Sequence, residues 1–333
     1  MIIQGHCVVE MDKMNASSVD MVLHSSPFYR LRFYHTEYQV WGGDKRCKHQ
    51  WEEYVDKMVQ KAGGSPLAFC KHCGAWKGEL GWEPNPRLFV NHLFDASVAV
   101  RRVLKDTGTY WVNLGDTFED NSLQLVPDRY VIMMKDAGWY VRNFIIWHKT
   151  RVFGNPVKSR FIQDWEPWFF FAKQPNGYYF DQDIVRLGRK MTKDQVEKMS
   201  IHKVKNNRYA GDTIAPGTIL AGSRPISKAY GSIKEIKGAN RRCVWTIAAA
   251  EAEEGHYAPF PREIVEICVK AGCPAGGTVL DPFSGTGTTV EVANHLGRKG
   301  IGIELSAEHA KKAMLKATSS RSFDFDRINS FEG

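Results

Sequence analysis

Thr278-Val279-Leu280-Asp281-Pro282-Phe283-Ser284-Gly285-Thr286-Gly287-Thr288-Thr289 reads as a strand, a glycine-rich turn and the opening of a helix. Glycines at 285 and 287 permit a tight turn and let a ligand approach the backbone at the helix N-terminus. The helix is predicted over about Thr288–Leu296 and is followed by a strand, Lys299–Ile303, that ends at Glu304. An acidic residue at the end of that second strand is placed to accept hydrogen bonds from both hydroxyls of a ribose. The turn has no Walker lysine and lacks the third glycine of the dinucleotide fingerprint. A ligand with phosphates is therefore disfavoured, and a nucleoside cofactor without them fits better.

Outward from this unit the chain alternates strands with helices. Met21–Ser25, Tyr110–Leu114, Tyr140–Trp147 and Trp168–Lys173 read as strands; Leu88–Leu104, Asp128–Ala137 and Pro261–Ala271 read as helices. Such alternation predicts an α/β fold, a doubly wound, Rossmann-like and largely parallel sheet. From Arg30 to Trp82 the sequence turns irregular and aromatic, and the alternation breaks again between Arg186 and Arg242. The run Trp165-Glu166-Pro167-Trp168-Phe169-Phe170-Phe171 reads as core strand rather than as a base-stacking platform.

Charge is unevenly placed. The 333 residues carry a formal +8, yet residues 186–242 alone hold 14 basic and four acidic side chains, so the remainder is slightly acidic. A concentrated basic segment points either to a polyanionic partner or to a solvated loop. No stretch approaches the roughly 18 apolar residues of a membrane span, and the short Ile2–Ile3 start is no signal peptide. A cytoplasmic protein without a membrane partner is expected.

Cysteine usage points the same way. The seven cysteines are not spaced as a secreted disulfide framework. Cys47-x-His49 and Cys70-x-x-Cys73 instead offer four ligands, the number a closed tetrahedral zinc requires, with Gly74 suited to a knuckle turn and His72 as a competing ligand. Four protein ligands leave no position for water, so the zinc would be structural; reduced buried cysteines are the other reading.

At this point a resemblance enters. Residues 281–289 resemble the S-adenosylmethionine-binding motif of amino-group DNA methyltransferases, and Ala258-Pro259-Phe260-Pro261 is similar to that family's other cofactor-side motif. Ser26-Pro27-Phe28-Tyr29 resembles the family's catalytic Ser-Pro-Pro-Tyr, with Phe28 in place of the second proline; the residues after Tyr29 are one position shorter than the related Tyr-Trp-x-Leu-Arg. Catalytic motif first, basic segment next and cofactor motif last is the permuted order of the β class. The resemblance implies that Asp281, Pro282, Phe283, Ser284, Gly285, Thr286, Gly287, Thr288, Phe260 and Pro261 surround the cofactor while Glu304 holds its ribose. It implies residues 1–185 and 243–333 as the two halves of the methyltransferase domain, a zinc-binding insertion at about 44–82, and 186–242 as a target-recognition region on double-stranded DNA.

The chemistry explains the catalytic residues. An exocyclic amine delocalises its lone pair into the ring, so acceptors for its two N–H groups, the Ser26 hydroxyl and the Pro27 carbonyl, favour a nucleophilic nitrogen. A base inside a duplex must first be flipped out; Tyr29 is expected to stack on it, with Phe28 packing behind. In this family serine at the head of the motif favours cytosine N4 over adenine N6, while the Phe28 departure leaves open a catalytically impaired DNA-binding relative. Arg32, Lys45 and Arg46 would contact phosphates or form a solvated face. The resemblance also implies a prokaryotic or phage setting, homodimers, and a cognate restriction endonuclease as partner.

Overall fold

The computed structural model describes residues 1–150, 157–187, 238–250 and 260–318. Its first third runs β1 (Ile2–Gln4), α1 (Cys7–Lys13), β2 (Val19–Ser25), β3 (Gln39–Trp41), β4 (Trp51–Tyr54), α2 (Lys57–Lys61), β5 (Leu67–Cys70) and β6 (Trp76–Gly78). There follow α3 (Pro86–Val103), β7 (Leu104–Asn113), a small hairpin of β8 (Phe118–Glu119) and β9 (Ser122–Leu123), α4 (Val126–Asp136), β10 (Tyr140–Lys149) and β11 (Trp165–Ala172). The C-terminal part supplies β12 (Val244–Ile247), α5 (Arg262–Gly272), β13 (Thr278–Asp281), α6 (Thr288–His295), β14 (Lys299–Glu304) and α7 (Ala307–Thr318).

Eight strands form the central sheet in the order β1-β14-β13-β2-β7-β11-β10-β12. All neighbours are parallel except β11, which runs against both β7 and β10. This is an α/β sheet, largely parallel as expected from the alternation, with β11 as its one antiparallel strand among the described residues. Burial follows from position: β2 is central and its Val19, Met21, Val22 and Leu23 are fully buried, as continuous apolar strands covered on both faces must be. Helix α3 starts where Pro86 follows Asn85, whose side chain accepts from the Leu88 amide at 2.9 Å. Its Phe89, Leu93, Ala96, Val100 and Val103 then line one buried stripe. The aromatic run of β11 is core: Trp168, Phe169, Phe170 and Phe171 are buried.

One polar network crosses this core. His24 on β2 meets the Tyr110 hydroxyl at 2.9 Å, and Tyr110, Ser97 and Tyr130 join their hydroxyls at 2.7–3.3 Å. Burial pushes the His24 pKa down to about 3, so the ring is neutral.

The structure departs from the sequence reading in three places. Residues 30–82, expected to be irregular, contain a second, four-stranded antiparallel sheet in the order β3-β6-β5-β4. Its strands are three or four residues long, too short for an alternating pattern to register. Strand β1 and helix α1 escape the sequence pattern for the same reason of length. Strand β12 also carries no sequence signal of its own, yet it pairs in parallel with β10 at the edge of the central sheet.

A second compact unit takes in residues 182–241. Within it Leu187 and Ala239 exchange both backbone hydrogen bonds, at 2.9 and 3.1 Å. The rest of the basic segment, from 188 to 237, lies outside the described residues, as do Ala258 and Pro259. Among the described residues no helix is long and apolar enough to cross a membrane.

Candidate active site

The carboxyl ends of β14, β13, β2, β7 and β10 open onto one cavity of about 510 Å³, where ligands of open α/β sheets bind. Two sequence motifs far apart in the chain meet there: Ser26, Pro27 and Phe28 on one side, Pro282, Phe283, Ser284 and Gly285 on the other.

The glycine-rich turn is built by two carboxylates. Asp281 accepts from the Phe283 amide at 3.0 Å and from the Thr289 hydroxyl at 2.6 Å. It does not line the cavity, nor do Thr286 and Gly287. Burial raises the Asp281 carboxyl to about 7. Glu304 does line the cavity; one oxygen accepts from the Gly285 amide at 2.7 Å and the other from the Ser306 amide at 2.8 Å. Each of its oxygens keeps a second lone pair for a ligand. Gly287, with φ of 87°, caps α6 in the left-handed region, which a side chain would strain.

Ser26 is 3% exposed, and its hydroxyl has no hydrogen-bond partner among the described residues; the same holds for the buried Ser284 hydroxyl. Orphaned buried hydroxyls are costly and rare. Ser26 and Ser284 both belong to the lining of the one cavity, whereas the Tyr29 and Thr117 hydroxyls, also without a partner among the described residues, do not. Next to Ser26, Ser25 donates to the Asn113 side-chain oxygen at 2.9 Å, and the Asn113 amide donates to the Pro167 carbonyl at 3.1 Å.

The two aromatics exchange the places expected of them. Phe28 lines the cavity, its ring lying where a Cβ at Gly115 would approach to 2.3 Å. Tyr29 is 1% exposed, packs its ring 5.7 Å from that of Phe89 and is absent from the lining. Arg30 causes the exchange. With φ of 48° it reverses the chain, its amide donates to the Gly81 carbonyl at 2.7 Å, and its guanidinium pairs with Asp56 and Glu119. Phe28 is thus the aromatic of the motif that lines the cavity, and Tyr29 is buried away from it.

Cys47, His49, Cys70 and Cys73 converge, with their ligand atoms all within 4.8 Å of one another. Cys47 and Cys70 sulfurs are 3.8 Å apart, and the Cys73 sulfur lies 3.4 Å from His49 Nδ1. Pairing of Trp51 with Cys70 brings the two halves together across β4 and β5, and the Gly74 amide closes a knuckle onto the Cys70 carbonyl at 2.9 Å. His72 stays outside the group. Zinc–sulfur bonds of about 2.3 Å in a tetrahedron would set sulfurs at such separations, so the four side chains fit the ion.

The small sheet and the segments flanking it also wall the cavity: Trp41 lies on β3, Arg32, Tyr34 and Thr36 precede that strand, and Glu79 and Leu80 follow β6. A relay joins it to the catalytic motif. Trp76 stacks on His92 with centroids 5.4 Å apart, His92 meets the buried Glu83 at 2.9 Å, and Glu83 accepts from the Gly81 amide at 2.8 Å. Lys45 and Arg46, by contrast, are exposed and pair with Asp12 and Asp44.

The family model for N6/N4 DNA methylases matches residues 19–315, both motifs and the sheet between them. The chain belongs to this DNA methylase family. Its motif order makes it a β-class amino-methyltransferase, and DNA is the substrate that the family implies. Similar proteins include the type II methyltransferases M.SmaI of Serratia marcescens, 28% identical over 265 residues (71% of this chain, 76% of that one), and M.Cfr9I of Citrobacter freundii, 27% identical over 265 residues (71% and 73%). Among solved structures, PvuII DNA methyltransferase, named as cytosine-N4-specific, superposes with a TM-score of 0.57 at 16% identity, covering 98% of this chain and 89% of that one. A DNA modification methylase of Thermus thermophilus in complex with S-adenosyl-L-methionine gives 0.51 at 20% identity, with 96% of each chain covered.

Sequence reasoning missed several lining residues of this methylase: His6, Asn113, Trp147, Lys149, Glu166 and His309. Asn113 and Lys149 each end a strand of the sheet, β7 and β10. The rule that carboxyl ends of parallel strands carry sites would have found them.

Proposed function

We propose that this methylase transfers a methyl group from S-adenosylmethionine to the exocyclic N4 of a cytosine flipped out of duplex DNA. The observation that carries the proposal is the buried, unpartnered Ser26 hydroxyl in a cavity shared with the glycine-rich turn. Held by Glu304, Phe283 and Ser284, the cofactor would supply an electrophilic methyl group on a sulfonium. Ser26 and the Pro27 carbonyl would accept hydrogen bonds from the two N–H groups of the target amine and localise its lone pair. The N–C bond forms as the methyl–sulfur bond breaks to leave a neutral thioether, and the surplus N–H proton is released to solvent with the product. Phe28 stacks on the base, and closure by Leu31 and Leu80 excludes water. Orientation of the two reactants then supplies much of the rate. Residues 186–242 are proposed as the target-recognition region between catalytic and cofactor halves, and the Cys47, His49, Cys70 and Cys73 group as a structural zinc site.

The test is incubation of unmethylated DNA with labelled S-adenosylmethionine, digestion and nucleoside mass spectrometry. N4-methylcytosine is the expected product. N6-methyladenine would reject the base assignment alone, and cofactor binding without any labelled DNA would indicate an impaired relative.

Asp281 is proposed to shape the cofactor turn from behind rather than to touch the ligand. Asp281→Ala leaves the Phe283 amide and the Thr289 hydroxyl unpaired, and is expected to weaken cofactor binding about tenfold or more. Titration provides the second readout. The folded pKa, about 7, lies above the reference 3.8, so the contribution of this carboxyl to stability is complete below the reference value and is lost as pH rises through about 7. Melting curves of the wild type should therefore fall relative to those of Asp281→Asn across that window. Parallel curves would refute the assignment.

A further inference from the structure

Past Ser26 the cavity continues over β7, β11 and β10, and its far wall carries an ion pair. Lys149, the last residue of β10, pairs through Nζ with Glu166, near the start of β11. The Lys149 ammonium also lies 4.7 Å from the centroid of the Trp147 ring, and Trp147 is fixed by its indole N–H donating to the Ile247 carbonyl at 2.9 Å. Lys149, Glu166 and Trp147 all line the cavity. The paired side chains are 23% and 19% exposed.

As a stabilising device this pair is poorly sited, because taking two charges out of water costs much of what their attraction returns. As a reading head it is well sited. An ammonium has three N–H groups. Glu166 is the one hydrogen-bond partner of Lys149 Nζ among the described residues, and the indole face steadies the cation. Donors remain for a ligand.

Ser26, just past the end of β2, and Lys149, at the end of β10, line the same cavity, with β7 and β11 lying between their strands in the sheet. A base held in that cavity can meet both. Along the pairing edge of cytosine come the N4 amine, N3 and the O2 carbonyl. Adenine offers its N6 amine, N1 and a C2–H. With the amine held at Ser26, the far end of the edge is an acceptor in cytosine and a C–H in adenine.

We propose that Lys149 donates to O2 of the flipped-out cytosine and so discriminates against adenine, with Glu166 as its positioning partner. The proposal rests on the cytosine-N4 reading above. It also assigns a chemical reason for the base preference that the serine of the catalytic motif does not provide, since that serine can accept from either amine.

The test uses a duplex carrying the site mapped from the methylated product, with the target as cytosine or as 2-thiocytosine, whose sulfur is a weaker acceptor. The wild-type enzyme should lose about tenfold in kcat/KM on the thio substrate. Lys149→Met should lose about 10- to 100-fold on cytosine and treat the two substrates alike, with S-adenosylmethionine affinity by calorimetry unchanged. Glu166→Gln should lose less and keep its preference for oxygen over sulfur, which tests the pair in a variant of nearly unchanged shape. Lys149→Met that still discriminates oxygen from sulfur would overturn the proposal while leaving cytosine as the substrate. So would a matching fall in cofactor affinity, which would place the pair at the methionine end instead. N6-methyladenine as the sole product would overturn the base reading and this proposal with it.

Discussion

Ser26→Ala should lower kcat by about 10²-fold while leaving both the melting temperature and the affinity for S-adenosylmethionine unchanged. The combination is unusual for a residue only 3% exposed. It is expected because the hydroxyl makes no hydrogen bond among the described residues, so its removal breaks none of their contacts until a substrate amine arrives. The proper control is its neighbour. Ser25 donates to Asn113, so Ser25→Ala should cost about 1 kcal/mol of stability with a smaller effect on turnover. Stopped-flow single-turnover rates with calorimetric cofactor binding would separate the two. Equal losses of turnover and cofactor affinity in Ser26→Ala would remove this serine from the base side of the cavity.

Loss of the proposed zinc is expected to have the larger effect on the protein as a whole. Structural zinc contributes on the order of 10–16 kcal/mol to the folding of small zinc-bound peptides. Here Cys47, His49, Cys70 and Cys73 would tie together strands of four residues or fewer, too short to hold their ladders by backbone pairing alone. Chelation, or Cys70→Ser, should melt this small sheet and lower the melting temperature sharply. Cofactor affinity should fall with it, because Trp41, Glu79 and Leu80 are wall residues of the cavity. The relay from Trp76 through His92 and Glu83 to Gly81 would also release the loop that seats Phe28. Mass spectrometry of the intact protein should find one metal per chain. A metal-free protein with the same melting curve and the same cofactor affinity would end the zinc proposal.

What the sequence discloses is decided by scale. Long elements with one buried face are legible: the pattern places α3 two residues short at its start and α6 nearly to the residue, and the four-residue β13 is placed only by the glycine-rich turn that follows it. Elements of three or four residues are not, because their ladders are chosen by tertiary partners rather than by pattern. The convergence of Cys47, His49, Cys70 and Cys73 is nonetheless visible from spacing, since ligand chemistry does not need regular strands to announce itself. The catalytic motif is equally visible, but its two aromatics take the opposite places from those expected. Nothing in Phe28-Tyr29 says which ring faces the cavity; that is set by Arg30, whose partners Asp56 and Glu119 are distant in the chain. Lys149 and Glu166 are hidden for a related reason, as each is an ordinary strand-end charge until β10 and β11 are laid side by side.

The order of the strands in space has a consequence for the birth of the protein. Strand β2, which leads into Ser26, lies between β7 and β13, and Asp20 at its start accepts from the Thr278 amide 258 positions later. Strand β1 pairs only with β14. A ribosome making this chain therefore delivers the catalytic half with one edge of its middle strand bare, and that edge stays open until the C-terminal strands emerge. At roughly 5–20 residues per second the wait is many seconds. Contacts of such sequence separation are slow to close, and an unpaired apolar strand invites the wrong neighbour. Expression at lowered temperature or with holdase chaperones should raise the yield of native enzyme, and circular permutation that places β13 and β14 ahead of β2 should shorten the exposure altogether.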